Sequence, residues 1–206
     1  MACQQHHRRS IRLKGYDYSA AGLYFITICL QNRRNLFGKI EQGKLILNDA
    51  GKMIDQQWLI LPGRFTNIQL HEYIIMPNHF HGIIEIANVG APLVGARNAA
   101  GDARNVAGDD ARNVAGDANG QPQGIAPTTT GNNGPTIGNV MDAFKSITTV
   151  EYIRGVKNSG WRSFNGKLWQ RNYYEHIIRN EKSLGHIANY IINNPLNWNK
   201  DGFHIE

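Results

Sequence analysis

Two β-strand patterns separated by a short bend lie near the middle of the chain, and they constrain the fold more than any other segment. They fall within EYIIMPNHFHGIIEI, in which residues 73–76 and 80–86 flank a bend around Pro77. Runs of β-branched and aromatic residues bounded by Pro and Asn are typical of strands. The segment therefore predicts two successive strands, with His79 and His81 at the start of the second.

The flanking segments supply the other elements of an α+β domain. Apolar periodicity, capping residues and turn residues predict a strand over 22–33, a hairpin over 35–48 turning at Gln42-Gly43, a helix over 49–61 capped by Asn48 and ended by Pro62-Gly63, a helix over 136–160, a fourth strand with its approach over 167–178, and a helix over 180–194 ended by Pro195. The order is β-α-β-β-α-β plus a C-terminal helix. It predicts a ferredoxin-like split β-α-β sandwich, an antiparallel sheet with helices on one face.

The pattern is interrupted by a low-complexity tract at about residues 88–135. It contains three near-copies of ARNxAGD, which start at Ala96, Ala103 and Ala111. A tract with so few large apolar side chains cannot bury enough surface to offset the entropy of ordering, and its units are too short for a solenoid repeat. We therefore expect one domain over residues 1–206 with a flexible insertion.

Composition narrows the class of protein. The chain has 206 residues, 22 Lys and Arg against 16 Asp and Glu, and a formal net charge of +6, so polyanionic partners are favoured. Its two cysteines, Cys3 and Cys29, form no CxxC pattern, and a reducing cytoplasm is the expected location. No apolar run approaches the roughly 20 residues that cross a bilayer, so no membrane association is expected.

The two histidines form a candidate metal site. Side chains alternate between the faces of a strand, so His79 and His81 share one face and Phe80 takes the other. Two neighbouring imidazoles can hold one divalent metal. An ordinary pair of polar residues on a half-exposed strand fits the same pattern. Two ligands do not complete a site, so a further ligand is required from elsewhere in the chain.

The last predicted helix offers candidates. Tyr190 and Asn194 are spaced i, i+4 and lie one above the other on one helix face. Taken alone, the pair fits a core tyrosine and a helix C-cap. Combined with His79 and His81, it would place a phenol nucleophile beside a metal held by two histidines and an amide.

The combination of MPNHFH with the downstream LWQRNYYEHIIRN and YIINNP resembles the HUH superfamily of single-strand DNA endonucleases. Within that superfamily the chain is similar to the single-tyrosine transposases of small insertion sequences, and above all to the REP-associated tyrosine transposases. The opening IRLKGYDYS…YFITICLQNR fits the same group. The resemblance covers nearly all of the chain outside roughly residues 88–135.

The resemblance implies a mechanism. His79, His81 and Asn194 would hold Mg²⁺ or Mn²⁺, and Tyr190 would attack the scissile phosphate to give a 5′-phosphotyrosine and a free 3′-hydroxyl. A second 3′ end can then attack this intermediate and join strands. The implied substrate is single-stranded DNA that forms palindromic hairpins. The oligomeric state, monomer or homodimer, is left open.

Several other residues are weaker candidates. Tyr173 and Tyr174 are rival nucleophiles without an amide partner at helical spacing, and Glu175 and His176 are candidate neighbours of the site. Tyr16, Tyr18 and Trp161 are candidates for stacking on bases. The candidate phosphate contacts are Arg8, Arg9, Arg12, Lys14, Lys145, Arg154 and Lys157.

Two other functions fit part of the pattern. Ferredoxin-like sheets also serve nucleic-acid recognition, so a non-catalytic binder of single strands or hairpins is one alternative. A replication-initiator or relaxase-like nickase is the other, although the chain is small for one and has no helicase region. The set His79, His81, Tyr190 and Asn194 favours the transposase interpretation.

Overall fold

The computed structural model describes residues 20–87 and 135–203, and a four-stranded antiparallel sheet lies at its centre. The strands in chain order are β1 (Gly22–Cys29), β2 (Gly38–Glu41), β3 (Lys44–Leu47), β4 (Ile68–Ile75), β5 (His79–Ile86) and β6 (Tyr174–Ile178). The main sheet has the order β4-β5-β1-β6, and β2 and β3 form a separate hairpin. All pairs in the main sheet are antiparallel. The predicted α+β, ferredoxin-like fold class is confirmed.

The helices begin where the sequence supplies caps. They are α1 (Asp49–Leu59), α2 (Leu61–Arg64), α3 (Ile137–Ser159) and α4 (Glu181–Asn193). The Asn48 side chain accepts a hydrogen bond from the backbone N–H of Gly51, as its predicted capping role requires. Thr136 and Asn180 cap α3 and α4 in the same way. Gly160 ends α3 in the left-handed conformation, with φ 68°.

Three element boundaries differ from the sequence-based expectation. The first strand ends at Cys29, because Asn32 and Arg33 adopt positive φ angles of 59° and 50° in a 3₁₀ turn. Pro62 lies in the first turn of α2 instead of ending α1. The fourth strand covers Tyr174–Ile178 alone, and its approach touches the sheet through an isolated bridge between Leu30 and Trp169.

The sheet has a core on each face. On one face, Ile26 and Phe80 belong to a large cluster with Trp58 of α1 and Phe144 of α3. On the other face, Phe25, Ile83 and Ile178 pack with Ile191 of α4. The two helices of the split β-α-β unit therefore cover one face, and the C-terminal helix covers the other.

Some predictions concern residues that the structure does not describe. Of the insertion predicted at about residues 88–135, residues 88–134 with the ARNxAGD copies lie outside the described residues. Outside them too are Arg8, Arg9, Arg12, Lys14, Tyr16 and Tyr18, which precede residue 20. Among residues 20–87 and 135–203, no helix has the length and apolar character that crossing a bilayer requires.

Candidate active site

The two histidines of β5 lie side by side on the sheet face that α4 covers. Strand alternation sends Phe80 into the opposite core, while His79 and His81 are 0% and 1% exposed. Their ring centroids are 4.6 Å apart. Phe25 of β1 stacks on the ring of His81 at 5.4 Å. The placement that the His-x-His spacing predicts is therefore confirmed, and the pair is buried, which the sequence did not indicate.

Each imidazole has a polar partner on its Nδ1 atom. Nδ1 of His79 lies 2.8 Å from Oδ1 of Asn78, and Nδ1 of His81 lies 2.8 Å from Oγ1 of Thr27. Thr27 faces His81 because β1 and β5 pair in the register Thr27↔His81. These contacts orient both rings so that the two Nε2 atoms are left for other partners.

Helix α4 brings Tyr190 and Asn194 to the same place. Oη of Tyr190 lies 3.3 Å from Nε2 of His81, and the tyrosine ring meets Phe25 edge-on at 6.3 Å. Asn194 caps the C-terminus of α4 and is 3% exposed. Tyr190 itself is 45% exposed, so the phenol is in reach of His81 and of solvent at once.

A carboxylate that the sequence did not single out completes the cluster. After α4 the chain forms a 3₁₀ helix, Pro195–Lys200, which delivers Asp201 to the histidines. Ligand atoms of His79, His81 and Asp201 all lie within 4.8 Å of one another. Oδ1 of Asp201 accepts from the backbone N–H of Phe203, and Oδ2 lies 3.6 Å from Nε2 of His79.

Three buried atoms at this point have no hydrogen-bond partner among the described residues: Nε2 of His79, Oδ1 of Asn194 and Oδ2 of Asp201. Two of them are oxygen acceptors. The 3.6 Å between Nε2 of His79 and Oδ2 of Asp201 is too long for a hydrogen bond. Buried polar atoms are rarely left unsatisfied, so their clustering fits a cation held between imidazole, carboxylate and amide donors.

Burial sets the protonation of the cluster. It lowers the pKa of His79 to about 2, assisted by the positive charges of His81 and Arg33. Burial also lowers the pKa of His81 to about 3. Both rings are therefore neutral at physiological pH, as metal ligation requires. Burial and then the Asp201 carboxylate raise the pKa of Tyr190, while a hydrogen bond from Asn194 opposes them.

Cys29 lies opposite His79 in the sheet register but is not available as a thiolate. Burial is the main cause that raises the pKa of its thiol to about 11. At neutral pH the cluster therefore offers imidazole nitrogen and oxygen donors. Such a set of nitrogen and oxygen donors could hold a metal ion.

The weaker site candidates in and before β6 lie on different faces of the sheet. Glu175 pairs with Ile26 and points to the face of α1 and α3, so the structure does not bring it to the histidines. His176 pairs with Phe25 and is exposed on the face of α4. Tyr173 packs on the large cluster, away from His81, whereas Tyr174 lies on the site face, 45% exposed and 6.4 Å from Phe25.

The described basic candidates are mostly engaged in other contacts. Nζ of Lys145 donates to the carbonyls of Gln170 and Arg171, at 2.8 Å each, and burial lowers its pKa. This lysine ties α3 to the approach to β6, and its contact with phosphate stays a prediction. Arg154 pairs with Glu151 at 2.6 Å on the surface, and Lys157 is exposed.

Trp161, a candidate for stacking on bases, lies against α3 instead. Its ring meets Tyr152 edge-on at 5.4 Å. It also covers Gly155 so closely that a Cβ there would overlap the indole. The half-buried ring therefore anchors the segment after α3.

A comparison with known proteins relates the chain to one curated protein. No family model matches it. A protein of Haemophilus influenzae strain Rd that is named "Uncharacterized protein" is 38% identical over 204 residues, which cover 98% of this chain and 95% of that protein. The chain belongs to the family of this Haemophilus influenzae protein. Family membership at this level implies a shared fold, and the relative's name assigns no activity.

Solved structures of low sequence identity also match. One is a REP-associated tyrosine transposase bound to a REP hairpin, with 18% identity, coverage of 94% of this chain and 76% of that one, and a TM-score of 0.48. Another is a candidate transposase of Deinococcus radiodurans R1, with 13% identity, coverage of 88% and 95%, and a TM-score of 0.40. At this level of similarity, neither match assigns a substrate or an activity to the chain.

Sequence reasoning missed four residues around the site: Thr27, Arg33, Asn78 and Asp201. Asn78 adjoins the His-x-His motif, which was a usable local signal. Thr27 has the strand parity that puts it on the site face, but only the register of β1 against β5 places it at His81. Arg33 and Asp201 reach the site through a 3₁₀ turn and a 3₁₀ helix, for which the sequence carries no periodic pattern.

Proposed function

We propose that the chain is a metal-dependent endonuclease and strand transferase of single-stranded DNA that acts through a 5′-phosphotyrosine on Tyr190. One observation carries the proposal. The half-exposed phenol of Tyr190 lies 3.3 Å from His81, beside a cluster of buried acceptor atoms that lack donors among the described residues. A nucleophile that solvent can reach, next to a candidate cation site, is the arrangement that phosphoryl transfer to a side chain needs.

The ligands in this proposal are Nε2 of His79, Nε2 of His81, Oδ2 of Asp201 and Oδ1 of Asn194. When bound, Mg²⁺ or Mn²⁺ would polarise a phosphoryl oxygen and offset the charge that develops in the transition state. Three of these four atoms are buried without a hydrogen-bond partner in the described parts of the chain. A bound cation would give each of them the partner that it lacks.

The chain's own residues perform the cleavage. Oη of Tyr190 forms a bond to the phosphorus as the bond from phosphorus to the 3′-oxygen breaks. The phenol loses its proton to solvent, and the 3′-oxygen leaves as a hydroxyl after taking up a proton. Reversal of this step by another 3′-hydroxyl joins strands and restores Tyr190. Phe25 and His81 flank the phenol and hold its ring against the sheet.

Hairpin-forming single strands are the proposed substrate. This choice rests on the sequence resemblance and on the net charge of +6. The basic residues before residue 20 and the exposed Lys157 are the remaining candidates for contacts to the DNA backbone. The proposed activity is DNA transposition or the processing of palindromic repeats.

The decisive test is a covalent adduct on Tyr190. Purified protein is incubated with Mn²⁺ and a panel of 3′-labelled single-stranded DNA hairpins. We expect a labelled protein band that survives denaturation, because the tyrosine keeps the 5′-phosphate of the downstream fragment. Peptide mapping should place the label on the segment SLGHIANYIINNP. Tyr190→Phe should abolish adduct and cleavage while hairpin binding persists, since one oxygen is lost and the ring stays.

Tyr174→Phe is the matched control, because this tyrosine is equally exposed on the same sheet face. It should retain the adduct. An adduct on Tyr173 or Tyr174, or cleavage by the Tyr190→Phe protein, would show that the nucleophile is elsewhere. Hairpin binding by the wild type without cleavage in the presence of Mn²⁺ or Mg²⁺ would instead support a non-catalytic binder.

A further inference from the structure

Asn78 is a buried residue whose side-chain NH₂ group and oxygen atom both have polar partners. It is 0% exposed. Its Nδ2 atom donates to the carbonyl oxygens of Arg33 and Phe203, at 3.1 Å and 2.8 Å. Its Oδ1 atom lies 2.8 Å from Nδ1 of His79. Three parts of the chain that are distant in sequence therefore meet at this one amide.

The partners of Asn78 determine its orientation. Carbonyl oxygens of Arg33 and Phe203 carry no hydrogen, so they can only accept, and the NH₂ group must face them. The amide oxygen is thereby directed at His79. An amide oxygen also only accepts, so the hydrogen in that contact belongs to Nδ1 of His79.

The tautomer of His79 follows from this chain of contacts. A neutral imidazole carries one N–H, and in His79 this hydrogen is on Nδ1. Its Nε2 atom therefore presents a lone pair. The same Nε2 atom is buried without a hydrogen-bond partner among the described residues and faces the Asp201 carboxylate, 3.6 Å away. A lone pair and a carboxylate that face each other need a cation between them.

We propose that Asn78 is a positioning residue that holds His79 in the Nδ1-protonated tautomer and so directs the Nε2 lone pair at a divalent cation. The cation part of this inference rests on the proposed function. His81 differs, because the Thr27 hydroxyl beside its Nδ1 can donate or accept and does not select a tautomer. Through Asn78, the tautomer of His79 thus depends on the positions of the backbone carbonyls of Arg33 and Phe203.

The tautomer can be read directly in the metal-free protein. Long-range ¹H–¹⁵N spectra of protein labelled at histidine nitrogens distinguish a protonated from an unprotonated ring nitrogen. We expect His79 to be protonated on Nδ1 in the wild type. A wild-type spectrum with the hydrogen on Nε2 overturns the proposal without any variant.

Two variants separate the hydrogen bond from the volume of the side chain. Asn78→Leu keeps the size and removes the acceptor, and we expect His79 to shift toward the Nε2-protonated form. Asn78→Asp keeps an acceptor oxygen beside Nδ1 of His79 but loses the NH₂ donor to the carbonyls of Arg33 and Phe203. The folded Asn78→Asp protein should retain the Nδ1-protonated form. The signals of His81 serve as an internal reference, since its partner Thr27 is unchanged.

Affinity for Mn²⁺, measured by calorimetry and by electron paramagnetic resonance, gives a second readout. Loss of a residue that orients a metal-ligating histidine weakens binding by roughly 10–100-fold. We expect a loss of that size in Asn78→Leu and a loss of a few-fold at most in Asn78→Asp. A folded Asn78→Leu protein with the wild-type tautomer and wild-type affinity would overturn the assignment.

Failure of the proposed function has a different signature. If the wild type shows the Nδ1-protonated His79 but binds no Mn²⁺, the metal-dependent mechanism is wrong and the tautomer assignment still holds. If it binds Mn²⁺ with His79 protonated on Nε2, the role of Asn78 is wrong and the metal-dependent mechanism still holds.

Discussion

At the scale of single residues, the site contains buried polar atoms that have no hydrogen-bond partner among the described residues. They are Nε2 of His79, Oδ2 of Asp201 and Oδ1 of Asn194, and a buried polar atom left unpaired costs free energy. Burial removes the water that would otherwise solvate them. The same burial keeps both imidazoles neutral, because it lowers the pKa of His79 and of His81 far below neutrality.

Asp201→Asn tests the contribution of the carboxylate. Its negative charge is the second cause that raises the pKa of Tyr190, so its removal should lower the pKa of Tyr190 in the metal-free protein. Burial, the larger cause, should keep that pKa above the ordinary value. The measurement is a pH titration of ¹³Cζ-labelled tyrosines, with Tyr190→Phe to assign the signal. We also expect Mn²⁺ affinity to fall by at least about tenfold, a loss of about 1.4 kcal/mol.

Asp142→Asn is the matched control, since it removes the same charge from the exposed surface of α3. It should leave the pKa of Tyr190 and the Mn²⁺ affinity unchanged. Equal behaviour of the two variants would show that Asp201 is not part of the site.

Residues of the site could be predicted where the relation between them is local. His79 and His81 share a face because strand alternation has period two, and Tyr190 and Asn194 meet because helix neighbours are four residues apart. Asp201 could not be predicted in this way. Its position depends on how a 3₁₀ helix turns after Asn194 and on the packing of Trp198 beside His79.

At the scale of elements, α4 is attached to the sheet by a small apolar contact. Ile191 is 1% exposed and packs with Phe25, Ile83 and Ile178, whereas its neighbour Ile192 is 60% exposed. Since Tyr190 precedes Ile191 directly, this contact fixes the height of the nucleophile above the histidines.

Ile191→Ala should therefore reduce both stability and activity. We expect a loss of about 2–4 kcal/mol in the free energy of unfolding, because a buried isoleucine is truncated. Strand joining should fall with it, since α4 no longer holds Tyr190 firmly. Ile192→Ala truncates the same kind of side chain at a solvent-exposed position, so it should change the free energy of unfolding by less than about 0.5 kcal/mol. Denaturant unfolding of both variants is the measurement, and equal losses would contradict the proposed docking of α4.

The ends of helices and strands were predictable where a capping or turn residue directly precedes or follows the element. Asn48 before α1 and Gly160 after α3 are of this kind. The approach to β6 was not, because Trp169 joins the sheet only through a bridge to the distant Leu30. The contacts of Lys145 were not predictable either, since its Nζ donates to carbonyls of that approach.

At the scale of the whole molecule, the main sheet of the described residues has a core on each face. The order of the elements on both sides of residues 88–134 was predictable, because each keeps its own strand or helix pattern and the ferredoxin-like order follows from their succession.

Replacement of residues 96–119 by a short Gly/Ser linker should leave the folded domain unchanged. Loop closure costs only about 0.6 kcal/mol for each doubling of loop length, so we expect the melting temperature to move by no more than a few degrees and, if at all, upward. A Gly/Ser linker of the original length is the control that changes sequence without changing length. A drop of several degrees in both variants would show that the tract packs against the domain.

The direction of β5 has a practical consequence. The strand enters at His79 and leaves at Ile86, which pairs with Gly22 at the start of β1. At about 3.4 Å per residue, seven steps put this exit about 24 Å from His79. The residues that precede β1 and those that follow β5 thus join the sheet at the same remote end. A fluorescent reporter spliced in after residue 87 would be tethered there, so cleavage and joining could be followed optically without a bulky label near the phenol.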